Sequence, residues 1–86
     1  MDGVVASLIL YSRPGCHLCD EMKAVVWRVA TRVPLAFEEI DISTDAALEA
    51  RYGIDIPVLL VNGRKAAKHR VNEAELVRIL GARSRP

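Results

Sequence analysis

Tyr11-Ser12-Arg13-Pro14-Gly15-Cys16-His17-Leu18-Cys19 decides how this sequence reads. Both cysteines of the 86-residue chain lie in it, as Cys-x-x-Cys. Upstream, Val4 to Tyr11 is almost continuously apolar, which suits a strand buried on both faces at the centre of a helix-covered sheet. Ser12 to Gly15 makes a loop: Pro14 disfavours a helical Arg13, and Gly15 relaxes the backbone before Cys16. Downstream the apolar period changes to that of a helix over His17 to Arg32. Cys19, Met22, Val26, Val29 and Val33 fall on one face, which Leu18 and Val25 widen. Asp20 and Glu21 near its start and Arg28 and Arg32 near its end suit the helix dipole, and Pro34 stops it. A close cysteine pair at a strand-to-helix junction signals dithiol redox chemistry or half of a metal site.

Working outward, Leu35 to Ile42 reads as a strand whose second half alternates apolar and acidic residues, as at a sheet edge. Ser43, Thr44 and Asp45 offer cap oxygens for a short helix, Ala46 to Tyr52, closed by Gly53. Ile54 to Pro57 is a junction into the strand Val58 to Val61. Asn62-Gly63 signals a hairpin, with a returning strand from Arg64 to Lys68. Asn72-x-x-Glu75 reads as a capping box opening a last helix through Leu76, Ile79 and Leu80. Gly81 is expected to end that helix and leave 82–86 as a loose tail. The order β-α-β-α-β-β-α predicts a single α/β domain over residues 1–86, with a mixed four-stranded sheet.

Composition narrows the function classes. Hydrophobic residues are 51 % of the chain and aromatics only 5 %, so aliphatic side chains must fill the core. The formal net charge is +1 with mixed signs and no basic face, which argues against nucleic acid as a partner. The apolar run at the start is too short to span a membrane, and Met1-Asp2-Gly3 lacks a signal peptide's positive region. A cytoplasmic protein is expected, where a close cysteine pair is catalytic or metal-binding more often than structural.

The chemistry follows from placement. Cys16 stands at the helix N-terminus, where unpaired N–H groups and the dipole favour a thiolate and lower the thiol pKa from its free value of about 8.5. Cys19 lies three residues on and more inward. Cys16 is therefore expected to attack a substrate disulfide and Cys19 to resolve the mixed disulfide. His17 reads equally as a modulator of the thiolate and as a solvated first-turn histidine. Arg13 reads as a holder of a substrate carboxylate or as an exposed loop residue. Tyr11 has packing as its main role beside the site, His69 reads as a surface strand-end residue, and Trp27 falls off the apolar stripe. The alternative is a metal or iron–sulfur carrier. Two thiolates supply half a tetrahedral site, so His17, His69, a second chain or outside thiols would have to complete it. No protein metal site is assigned.

These residues together resemble the glutaredoxin branch of the thioredoxin superfamily. The likeness rests on Tyr-Ser-Arg-Pro-Gly-Cys-x-x-Cys, on Asp55-Ile56-Pro57, on the Asn62-Gly63 hairpin and on the element order. Cys16-His17-Leu18-Cys19 is most similar to the small bacterial glutaredoxin-like proteins. The resemblance implies a thioredoxin-like fold with helices on both sheet faces. It also implies a cis Pro57 against the cysteines, and Arg13 and the backbone of Ile56 as substrate-binding positions. It implies no tightly bound cofactor, with glutathione as a candidate reductant. Protein or small-molecule disulfides are the implied partners, a thioredoxin-reductase-type enzyme is the other reductant, and a monomer is expected. The sequence departs from the branch at one place: His69-Arg70 stands where a Gly-Gly turn is usual, and Asn72-Glu73 where an acidic pair is usual.

Overall fold

The structure, a computed structural model, describes residues 5–83, with side chains through 81. Strand β1 (Ala6–Ser12) leads into helix α1 (His17–Ala30), strand β2 (Leu35–Asp41), a 3₁₀ turn (Ile42–Thr44) and helix α2 (Ala46–Tyr52). Strands β3 (Val58–Val61) and β4 (Arg64–Lys68) and helix α3 (Glu73–Arg83) complete the chain. The sheet order is β2-β1-β3-β4. Strand β1 runs parallel to β2 and antiparallel to β3, and β4 returns antiparallel to β3.

The main core cluster lies on one sheet face. Leu8 and Leu10 of β1 stand beside Val61 and Leu59 of β3 and pack with Met22, Val26 and Val29 of α1 and Leu76 and Leu80 of α3. The apolar stripe read from Cys19 onward is this buried face, with Val25 widening it. On β1 the burial alternates. Ala6, Leu8, Leu10 and Ser12 are buried, whereas Ser7 is exposed and Ile9 and Tyr11 are half-buried. The expectation of a strand buried on both faces is thus corrected. The reason is the smallness of α2, whose seven residues include none that is buried. It covers the second face at the end nearest the cysteines, where Tyr52 stacks on Tyr11 at a centroid distance of 4.5 Å.

Local chemistry sets the boundaries. Asn62 and Gly63 both take positive φ (52° and 83°), as a tight hairpin with the sheet's twist requires. Asn62 also ties the turn to β1, its amide donating to the Ser7 carbonyl at 2.8 Å and its Oδ1 accepting the Ser7 N–H at 2.9 Å. Asp45 caps α2 by accepting the N–H groups of Ala47 and Leu48. The capping box of α3 is complete, with Glu75 N–H donating to Asn72 Oδ1 at 2.8 Å and Asn72 N–H to Glu75 Oε1 at 3.0 Å. Caps of this kind are worth about 1 kcal/mol.

Two helix ends differ from expectation. Helix α1 stops at Ala30, because Thr31 turns its hydroxyl onto the Arg28 carbonyl at 2.7 Å and Pro34 bars continuation. Helix α3 continues through Gly81 to Arg83. A helical glycine costs only about 1 kcal/mol, and Leu76 and Leu80 anchor the preceding turns in the core. The part of the expected tail at 84–86 lies outside the described residues.

Candidate active site

The end of β1 delivers the chain to a tight turn. Gly15 takes φ +78°, a left-handed conformation that a β-carbon would strain. Cys16 N–H then donates to the Arg13 carbonyl at 3.2 Å and closes the loop. Cys16 is the N-cap of α1, in extended conformation, and its Sγ accepts the Cys19 N–H at 3.1 Å. The two sulfurs are bonded, with the Cα atoms 5.2 Å apart. Their exposures differ: Cys16 is half-buried, and Cys19 is 1 % exposed. Cys16 stands at the dipole's positive end, and Cys19 backs onto the core.

At the same end of the sheet, where Val58 pairs with Tyr11, the Ile56–Pro57 bond is cis and Pro57 is buried. Tyr52, at the end of α2, accepts N–H groups from Asp55 (2.8 Å) and Ile56 (3.1 Å). The Ile56 N–H is therefore engaged internally, which narrows the sequence expectation that both its backbone groups face a substrate. His69 N–H donates to the Pro57 carbonyl at 2.8 Å, so the residue just after β4 braces the proline loop.

A profile for a Glutaredoxin-like domain matches residues 7–81. The chain belongs to that glutaredoxin-like family. Among solved structures it is similar to target protein XcR50 from X. campestris, at 36 % identity over 87 % of this chain and 96 % of that one, with a TM-score of 0.75. It is also similar to protein Ne2328 from Nitrosomonas europaea, at 25 % identity over 92 % and 98 % of the two chains, TM-score 0.76. A likeness at 22 % identity to a mutant thioredoxin from Halobacterium salinarum, over 94 % of this chain and 76 % of that one with a TM-score of 0.68, shows the shared thioredoxin-like fold.

Within this glutaredoxin-like site the other expected residues take definite places. Arg13 turns its guanidinium to helix α2, where it pairs with Glu49 and reaches the Gly53 carbonyl at 3.4 Å. His17 points outward, its side chain 84 % exposed and its Nε2 2.9 Å from Glu21 Oε2, which is the solvated arrangement. Tyr11 packs on Tyr52 as its packing role requires. His69 directly follows β4 and is exposed, with Nε2 3.5 Å from the Ile54 carbonyl. It also takes φ +67°. The chain thus keeps, with a histidine, a backbone conformation that glycine adopts most readily. Arg70 lies 3.9 Å from Glu21, so the connection after β4 reaches the first turns of α1. Between them lies a groove of about 470 Å³ whose lining includes Leu18, Met22, Val25 and Val71.

One network escaped the sequence reading. Buried Ser12 donates from Oγ to Glu39 Oε2 at 2.8 Å, and Lys23 Nζ donates to Glu39 Oε1 at 3.0 Å. Partial burial pushes the Glu39 carboxyl up, but the bonds from Ser12 and Lys23 outweigh it and hold the group below the ordinary carboxylate value. The network joins β1, β2 and α1 just before the cysteine loop. Its members come from three separated segments, Ser12, Lys23 and Glu39, so no local signal singled them out. Among the described residues, no group of three or more His, Cys, Asp and Glu is placed to hold a metal ion. No helix among them is long and apolar enough to cross a membrane.

Proposed function

We propose that this chain is a dithiol–disulfide oxidoreductase. The observation that carries the reading is the asymmetry of the pair: Cys16 is half-buried at the N-cap of α1, and Cys19 is buried within bonding reach of it. In the reduced protein, the Cys16 thiolate attacks one sulfur of a substrate disulfide. A Cys16–substrate bond forms, the substrate's S–S bond breaks, and the first substrate thiolate leaves and takes up a proton. Cys19, deprotonated, attacks Cys16 Sγ. The second substrate thiol departs, and the Cys16–Cys19 bond holds the oxidised state. Two electrons pass from the protein to the substrate, and a separate thiol reductant restores the pair. Glutathione and a thioredoxin-reductase-type enzyme are the two candidate reductants. The cytoplasm, with its thiol-based reductants, suits this cycle.

Stoichiometry tests the reading. Fully reduced protein, mixed with excess insulin as a protein disulfide, is expected to lose two titratable thiols per chain. It should generate two substrate thiols and gain the intramolecular disulfide by mass. Retention of both protein thiols would contradict the proposal.

A further inference from the structure

Arg13 is the cation nearest to Cys16 along the chain, and its own carbonyl holds the Cys16 N–H at 3.2 Å. Unpaired, its guanidinium would draw anionic disulfides to the attacking sulfur. Instead it is held by the Glu49 carboxylate and lies against the Gly53 carbonyl. The cradle is fitted to it. A β-carbon at Gly53 would meet the Glu49 carbonyl at 2.5 Å, Glu49 Oε2 at 2.9 Å and the Arg13 guanidinium at 3.3 Å. Helix α2 is itself fixed beside the loop by the Tyr11–Tyr52 stack, and its end feeds the proline loop through the Tyr52 carbonyl.

The remaining charges on this flank agree in sign. A shallow depression beside the cysteine loop is lined by Arg13, Asp20, Lys23, Glu39 and Asp41, among others. Lys23 is taken by Glu39, and Arg13 by Glu49. Among the described residues Asp20 and Asp41 have no cationic side chain within ion-pair distance, although the Arg13 guanidinium also helps to hold the Asp41 carboxyl below its ordinary value. The carboxylates of Asp20, Glu39, Asp41 and Glu49 outnumber the cations Arg13 and Lys23, so the flank is net negative.

Resting on the redox reading above, we infer that Glu49 is a specificity-determining residue. By holding Arg13 against α2 it withholds that cation from disulfides attacked at Cys16, and so selects against small carboxylate-bearing disulfides. The class favoured is uncharged or cationic disulfides, including protein disulfides with basic surroundings.

The test compares second-order rate constants of the reduced protein with glutathione disulfide, which carries net negative charge, and with uncharged 2-hydroxyethyl disulfide. The Glu49→Ala variant is expected to raise the ratio of the two, anionic over neutral, by about five- to tenfold at low salt. Near 1 M salt, where the screening length falls to about 3 Å, the gain is expected to vanish. Adding Arg13→Gln to Glu49→Ala is expected to remove it at low salt as well. Circular dichroism and thermal melting establish that the variants are folded. A ratio within about twofold of wild type, an equal gain with both disulfides, or a gain insensitive to salt would overturn the assignment and leave the redox reading standing. Wild-type protein unreactive toward both disulfides would overturn the two together.

Discussion

Cys16→Ser is expected to lower disulfide reductase activity by roughly a thousandfold or more, to the background of the assay. A hydroxyl at this N-cap still accepts the helix N–H groups, so the fold survives. It is not ionised near neutral pH and cannot form the mixed disulfide. Cys19→Ser removes a different step. Cys16 still attacks, but nothing inside the protein releases the adduct. The variant should therefore accumulate a covalent Cys16–substrate disulfide, visible as a mass increase that a reductant reverses. The measurement is insulin reduction with mass spectrometry of the quenched protein. Full activity in the Cys16 variant, or an adduct on Cys19 in wild type, would contradict the division of roles. The division rests on burial, since Cys19 at 1 % exposure faces the core while Cys16 does not.

The largest stability effect is expected at Leu10. It is fully buried in the central strand, beside Leu59 of β3 and in the cluster that contains Met22 and Val26 of α1. Leu10→Ala removes three carbons from a packed site that collapses only partly, and costs about 3 kcal/mol. Domains in general hold about 5–15 kcal/mol, and one of this size sits toward the low end because it buries a smaller share of its surface. The melting temperature is accordingly expected to fall by roughly 10–20 °C. The contrasting substitution is Ile54→Ala at a side chain 93 % exposed, expected to stay within about 0.5 kcal/mol of wild type. Thermal melts of the oxidised proteins decide between them, and equal losses at the two positions would contradict the assignment of the core.

Much of this architecture was legible in the residues because each element carries a local signal. The stripe from Cys19 to Val29 has the helical period and is the buried face of α1. Asn62-Gly63 and Asn72-x-x-Glu75 encode their turn and cap by side-chain chemistry acting over three residues or fewer, and both form as read. What the residues did not disclose depends on contacts across the fold. The half-exposed second face of β1 follows from how little α2 covers, which the apolar run in β1 does not encode. The extension of α3 past Gly81 depends on the anchoring of Leu76 and Leu80.

The site divides in the same way. The placement of Cys16 at the start of α1 and of Cys19 on its buried face was readable from the strand-to-helix junction and the helical period. The partner of Arg13 was not, since Glu49 lies 36 residues away on a surface helix with nothing local to single it out. The engagement of the Ile56 N–H by Tyr52 was hidden likewise, because it depends on how α2 ends and not on the Ile-Pro pair. Pairing with Glu49 changes what Arg13 does. The sequence offered a carboxylate holder or an exposed loop residue, and the fold places its charge against an acid of its own.

The measurement that tests the central claim most directly is alkylation of the reduced protein by iodoacetamide as a function of pH, with the modified residue identified by mass. Cys16 is expected to be modified first, with an apparent pKa clearly below the free-thiol value of about 8.5, while Cys19 remains protected. Preferential modification of Cys19, or a Cys16 titration at or above the free-thiol value, would contradict that claim.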